Sequence, residues 1–81
     1  MKFEIISPDK KVKKYEGKEL SKLFAEFCDN LELTNAKSVF RIYLKDGRVK
    51  DMILYPVKIK RLLNNKTARV IMEKRLKLMY G

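Results

Sequence analysis

The sequence predicts an α+β domain in which helices cover one face of a small antiparallel sheet, and three observations carry that prediction. First, Asp46-Gly47 separates two alternating runs in FRIYLKDGRVKDMILYP, residues 40–56. Asp-Gly tolerates the positive φ angles of a tight turn, so a central hairpin is expected over residues 39–55. Second, Leu20, Leu23, Phe24, Phe27, Cys28 and Leu31 recur at helical spacing, which predicts a helix over about residues 18–31. Third, Ala68, Ile71, Met72, Leu76 and Met79 form a stripe in a C-terminal helix over about 67–79, with Thr67 as its N-cap.

In chain order, Lys2 to Ser7 reads as a short strand with Phe3 and Ile5 on one face, and SPDKK is a turn signal. Lys11 to Tyr15 reads as a returning strand. Its Val12 and Tyr15 do not alternate, so a regular and a bulged strand both stay open. On the outer face of the first helix, Lys22 and Glu26 form an i,i+4 pair of opposite charge. TNAKS, residues 34–38, is a polar link into the hairpin. PVKIKRLLNN, residues 56–65, leaves two readings: a helix opening at Pro56 with Ile59, Leu62 and Leu63 together, or a strand that turns at Asn64-Asn65.

The hairpin register decides which side chains share a face. A two-residue loop pairs Lys45 with Arg48, Tyr43 with Lys50, Ile42 with Asp51, Arg41 with Met52 and Phe40 with Ile53. One face then carries Leu44, Val49, Ile42, Ile53 and Phe40, with Asp51 as the exception. The other carries Lys45, Arg48, Tyr43, Lys50 and Arg41, with Met52, Val39 and Leu54 towards the far end. A three-residue loop ending in Gly47 slips the second strand by one residue and sets Arg48 and Lys50 on the face of Phe40, Ile42 and Leu44. Because that brings charge to the apolar side, the two-residue loop is expected.

A chain of 81 residues is expected to form one domain that buries only about 60–65% of its unfolded surface. No apolar run reaches the ~18 residues that span a bilayer. The N-terminal residues MKFEIISPDKK lack the apolar region of a signal peptide. With Cys28 the single cysteine and no histidine, neither an internal disulfide nor an ordinary metal-ligand set is expected. Cys28 lies in the buried stripe and is expected to be structural. These features point to a reducing, cytoplasmic location. Lacking a histidine base, a glycine-rich phosphate loop or paired cysteines, the chain is expected not to be an enzyme and to need no cofactor.

Twenty basic residues against ten acidic ones give a net charge of +10. By segment the balance is +3 over residues 1–18, −3 over 19–36, +3 over 37–55 and +7 over 56–81, which sums to +10. Lysine excess also follows from AT-rich coding. All five arginines, however, fall in the second half (Arg41, Arg48, Arg61, Arg69, Arg75), and coding bias alone does not cluster them there.

Arginine and lysine neutralise phosphates, and a tyrosine among them stacks on a base or sugar. The candidate nucleic-acid-binding residues are therefore Arg41, Tyr43, Lys45, Arg48 and Lys50 on the hairpin, with Lys58, Lys60, Arg61, Arg69, Lys74 and Lys77 beyond it. Lys66 and Arg75 add to the same charge. The expected function is a small nucleic-acid-binding protein, regulatory in role, whose contacts run mainly to the phosphate backbone, with DNA preferred slightly over RNA. The alternative is an inhibitor or adaptor that docks on an acidic protein partner through Leu62, Leu63, Met72, Met79 and Tyr80. An anionic membrane surface met by the C-terminal helix is a third reading.

Overall fold

The two hairpins close in the same way. Ser7 and Lys11, and likewise Leu44 and Arg48, are the closing pairs, with Ser7 N–H to Lys11 O at 2.9 Å and Leu44 N–H to Arg48 O at 2.9 Å. Inside each loop a second bond runs back, from Lys10 N–H to Ser7 O at 2.8 Å and from Gly47 N–H to Leu44 O at 3.1 Å. Lys10 and Gly47 both hold positive φ, 69° and 88°. Each is thus a three-residue loop whose last member is left-handed, a form that matches the right-handed twist of the flanking strands.

The computed structural model describes residues 1–80. Strands β1 (Lys2–Ile6), β2 (Val12–Glu16), β3 (Ser38–Tyr43) and β4 (Val49–Leu54) form one sheet in the order β2-β1-β3-β4. Every neighbouring pair is antiparallel. Helices α1 (Leu20–Asp29), α2 (Pro56–Asn64) and α3 (Lys66–Tyr80) cover one face, giving the expected α+β architecture. The other face carries no helix. Among the described residues no helix is long and apolar enough to cross a membrane.

The covered face supplies Phe3, Ile5, Tyr15, Phe40, Ile42 and Leu54 to the core, and the helices supply Leu23, Phe24, Phe27, Ile59, Leu62, Met72 and Leu76. Phe27 is the centre of this packing. Its ring stacks on Phe40 at 4.7 Å and on Phe24 at 5.8 Å, and meets Phe3 and Tyr15 edge-on at 6.4 and 5.5 Å. Such pairs add about 0.5–1.5 kcal/mol each beyond their buried area, so one residue of α1 fastens three strands. Cys28 beside it is fully buried. Burial pushes its thiol up to about 11 and keeps it protonated at neutral pH.

Several expectations are corrected. The hairpin adopts the three-residue loop, pairing Tyr43 with Val49, Ile42 with Lys50, Arg41 with Asp51, Phe40 with Met52 and Val39 with Ile53. Met52 and Leu54, not Ile53 and Val49, therefore face the helices. β4 is an edge strand, and burial along its helix-side positions falls from Leu54 through half-buried Met52 to exposed Lys50. Arg48 and Lys50 stay exposed to solvent where the hairpin passes the end of α3, so their charge carries little desolvation cost. Asp51, anomalous in the other register, sits opposite Arg41.

β2 is regular, with Tyr15 inward. Helix α1 is shorter than expected, although Leu31 is still buried just past its end. Lys22 pairs with Glu19 at 3.4 Å rather than with Glu26. Residues 56–64 are helical: Pro56 takes the first turn, where its fixed φ fits and its missing N–H costs nothing. The cap of α3 is Asn65 rather than Thr67, its side-chain oxygen accepting from Thr67 N–H at 2.9 Å and Ala68 N–H at 3.3 Å. Asn65 has the extended backbone an N-cap requires, whereas Thr67 is already inside the helix. Ile71 is 52% exposed. The buried seam is Ala68, Met72, Leu76 and Met79, and Ile71 lies one position, about 100°, off it.

Two loop substitutions test the hairpin closure. An added Cβ at Gly47 meets nothing within 4 Å, so its cost is backbone strain alone. Gly47→Ala is expected to destabilise by about 1 kcal/mol, and Lys10→Gly to stabilise by a few tenths up to ~1 kcal/mol. Urea unfolding of both variants measures this, and opposite signs are the expected outcome.

Candidate nucleic-acid interface

The register divides the hairpin's candidate residues between two faces. Arg41 and Tyr43 point to the helix-free side of the sheet, while Arg48 and Lys50 point to the helix side, and Lys45 is exposed in the turn.

On the helix-free face, side chains are engaged with one another. The Arg41 guanidinium donates from Nε and Nη2 to the two Asp51 carboxylate oxygens at 2.9 and 3.1 Å. That bond raises the Arg41 pKa and holds the Asp51 carboxyl below its ordinary value. The Tyr43 hydroxyl donates to Glu4, and this bond, more than burial, raises the tyrosine pKa. Lys2 lies over the Tyr43 ring, 4.6 Å from its centroid. Across the four strands the outward rows are Glu16, Lys2, Tyr43, Val49, then Lys14, Glu4, Arg41, Asp51, then Val12, Ile6, Val39, Ile53. Three cations face three carboxylates, so this face is neutral.

The helix side is different. Arg48, Lys50 and Arg75 line a cleft of about 400 Å³ with Leu44, Leu78 and Met79, where the hairpin meets the end of α3. Arg48 is clasped by Asp46, Nε to Oδ2 at 2.6 Å, and the Asp46 carboxyl is lowered chiefly by the Arg48 backbone N–H. Lys50 and Arg75 have no such partner. Lys60, Arg61, Lys66, Lys74 and Lys77 are exposed on α2 and α3, and Lys58 is half-buried. Among the described residues no carboxylate lies within salt-bridge distance of Lys45, Lys50, Lys58, Lys60, Arg61, Lys66, Lys74 or Arg75. Lys77 pairs with Glu73 at 3.4 Å.

Arg69 has a separate job. Its Nε donates to Leu62 O at 2.5 Å, Nη2 reaches Leu63 O at 3.5 Å and Nη1 reaches Asp29 at 3.4 Å. One guanidinium thus satisfies carbonyls at the end of α2 and ties α2 and α3 to α1. Sequence reasoning counted Arg69 as surface charge. It also counted Arg75 only as charge, because nothing local marks it as the neighbour of Lys50, which lies 25 residues earlier in the chain. The apolar groups among these cations, Val70, Ile71 and Leu78, were read as core or passed over, yet Leu78 is 83% exposed.

Two predictions follow from these bonds. Arg69→Ala is expected to cost about 1–3 kcal/mol in urea unfolding, since it strands carbonyl groups at a helix end, while Asp29→Asn costs under ~1 kcal/mol. The second concerns pH. Asp51 and Asp46 have folded pKa values below their unfolded ones, so their contribution is present above about pH 4 and is lost as pH falls through the folded values. Asp51→Asn is expected to flatten the acid limb of a stability profile between pH 7 and 2.

Comparison with known protein families, curated proteins and solved structures returns no match, so the chain's functional reading rests on this geometry.

Proposed function

We propose that the protein binds nucleic acid through its helix side, with duplex DNA as the preferred form. The observation that carries the reading is the meeting of the unpaired cations Lys50 and Arg75, with Asp46-clasped Arg48 beside them, in one cleft, next to helices on which Lys58, Lys60, Arg61, Lys66 and Lys74 lack a carboxylate partner among the described residues. Unpaired cations release condensed counterions on meeting phosphates, whereas paired ones must first break their own bridges. Single strands are read chiefly by aromatics stacked on an open sheet. Here the sheet's one central tyrosine is occupied by Glu4 and Lys2, which favours a duplex backbone as ligand. A regulatory role in the cytoplasm is compatible with this surface and with the buried thiol of Cys28.

One observation favours a second reading. Val70, Ile71 and Leu78 are exposed among the α3 lysines, and apolar groups add nothing to a phosphate contact. An acidic protein surface with an apolar centre would use both.

Fluorescence anisotropy at stepped salt separates the two. If five to eight of these cations engage duplex DNA, log affinity against log salt is expected to fall with a slope of about −4 to −7. Replacing Lys50, Lys74 and Arg75 by Ala is expected to reduce that slope by roughly 2 to 3. Arg41→Ala is expected to leave it unchanged. An absence of binding at low salt overturns the proposal. Leu78→Ser is expected to leave DNA affinity unchanged, because an apolar side chain adds nothing to a phosphate contact.

A further inference from the structure

We propose that the helix-free sheet face is a self-complementary surface on which a second copy of this chain docks, sheet against sheet. The argument starts from charge. A molecule of net +10 repels its own kind, and its helix side is where the unpaired cations stand. The sheet face is neutral, with Lys2, Lys14 and Arg41 balancing Glu4, Glu16 and Asp51. It is also the face with an uncovered apolar row, in which Val12 is 46% and Ile53 is 42% exposed while Ile6 and Val39 are half-buried.

The order of these groups selects one geometry. From β2 to β4 the middle row reads Lys14, Glu4, Arg41, Asp51, alternately positive and negative. Two sheets packed face to face are related by a two-fold axis in the plane between them. If that axis runs across the strands along the middle row, each residue of that row meets its own copy, and like charge meets like. If it runs along the strands, between β1 and β3, the row is reversed in the partner. Lys14 then faces Asp51 of the second copy and Glu4 faces Arg41. In the outer rows, Val12 faces Ile53, Ile6 faces Val39, and Lys2 faces the second copy's Tyr43. All four charged contacts of the middle row are of opposite sign, and one outer row is wholly apolar. Aligned sheets cross at about 30°, a rotation about the normal through the sheet centre, so it displaces Glu4 and Arg41 least and Lys14 and Asp51, at the ends of the row, more.

Size and desolvation set the strength. Four strands at about 4.8 Å and five residues at about 3.4 Å span roughly 19 by 17 Å, about 320 Å² per copy, which is well under the ~800 Å² per partner of a standard interface and suits only a weak, transient contact. Arg41 and Asp51 are paired within one copy, Glu4 is buried and bonded by Tyr43, and Lys2 lies over the Tyr43 ring, whereas among the described residues Lys14 and Glu16 have no ionic partner. Docking thus gives Lys14 a partner and extends the other networks, and the net gain from burying these charges is small. A dissociation constant of about 10 μM to 1 mM is expected. The dimer leaves both basic helix sides facing outward. It uses the opposite face from the proposed nucleic-acid interface and stands or falls independently of it.

The experiment is sedimentation velocity of the full chain from 10 μM to 1 mM, in 0.15 M salt so that the ~8 Å Debye length screens the repulsion between copies. The wild-type chain is expected to show concentration-dependent dimer. Lys14→Glu and Asp51→Lys each place like charges opposite one another twice, by symmetry, and each alone is expected to weaken dimerisation at least tenfold. Mixed in equal amounts, the two variants restore every opposite pair: Glu at 14 meets Lys at 51, and the unaltered Asp51 meets the unaltered Lys14. The mixture is therefore expected to dimerise like the wild type. Circular dichroism of each variant confirms the fold, and both side chains are solvent-exposed. A wild-type chain that is monomeric at 1 mM overturns the proposal. So does a mixture no more dimeric than its folded components.

Discussion

The bond from Gly47 N–H to Leu44 O, with Gly47 at a φ of 88°, fixes the register of β3 against β4, and the sorting of charge over the molecule depends on that register. One residue more or less in the loop exchanges the two faces of β4. With the loop as it stands, Asp51 reaches Arg41, Leu54 enters the core, and Arg48 and Lys50 join α3. The alternative would have buried Asp51 beside Ile42 without a cation. Turn geometry at one glycine is thus the local cause of a global arrangement.

The consequence is a protein with two chemically distinct sides. Among the described residues, seven salt bridges take up seven of the ten side-chain carboxylates, and Glu4 is bonded by Tyr43. Of these, only Asp46, Asp29 and Glu73 serve cations of the hairpin tip and α3, leaving Lys45, Lys50, Lys58, Lys60, Arg61, Lys66, Lys74 and Arg75 without a carboxylate partner among the described residues. Net charge belongs to the whole chain, but where it acts is decided by which cations find partners. The proposed phosphate recognition and the proposed self-association then draw on opposite sides of the sheet. One side uses the surplus and the other its absence.

The helix layer is held by equally specific means. Phe27 gathers rings from β1, β2 and β3, while Asn65 ends α2 and caps α3 with the same residue. Arg69 closes the remaining carbonyls and reaches α1. In a chain this short each such fastening is a large share of a stability of only a few kcal/mol. The basic surface is therefore not a uniform set of replaceable charges, since one of its arginines is part of the frame.

The sequence alone determined the α+β class, the central hairpin, and two of the three helices, because hydrophobic periodicity is local and the Asp-Gly turn and the stripe from Leu20 to Cys28 are dense. The stretch after Pro56 was ambiguous by periodicity, since Val57 and Ile59 suit a strand while Ile59, Leu62 and Leu63 suit a helix, until packing on α3 decides. The site was legible as a list of cations and not as a surface. Which of them share a side depends on hairpin register, and which are engaged depends on partners distant in sequence, such as Asp29 for Arg69. The one sequence signal for the true register was Asp51 itself, whose misfit on the apolar side disappears when β4 slips by one residue to face Arg41. Tertiary structure decided the rest for a physical reason: charge on a strand is costly only where a helix covers it, and how far the helices reach is not written in the strand.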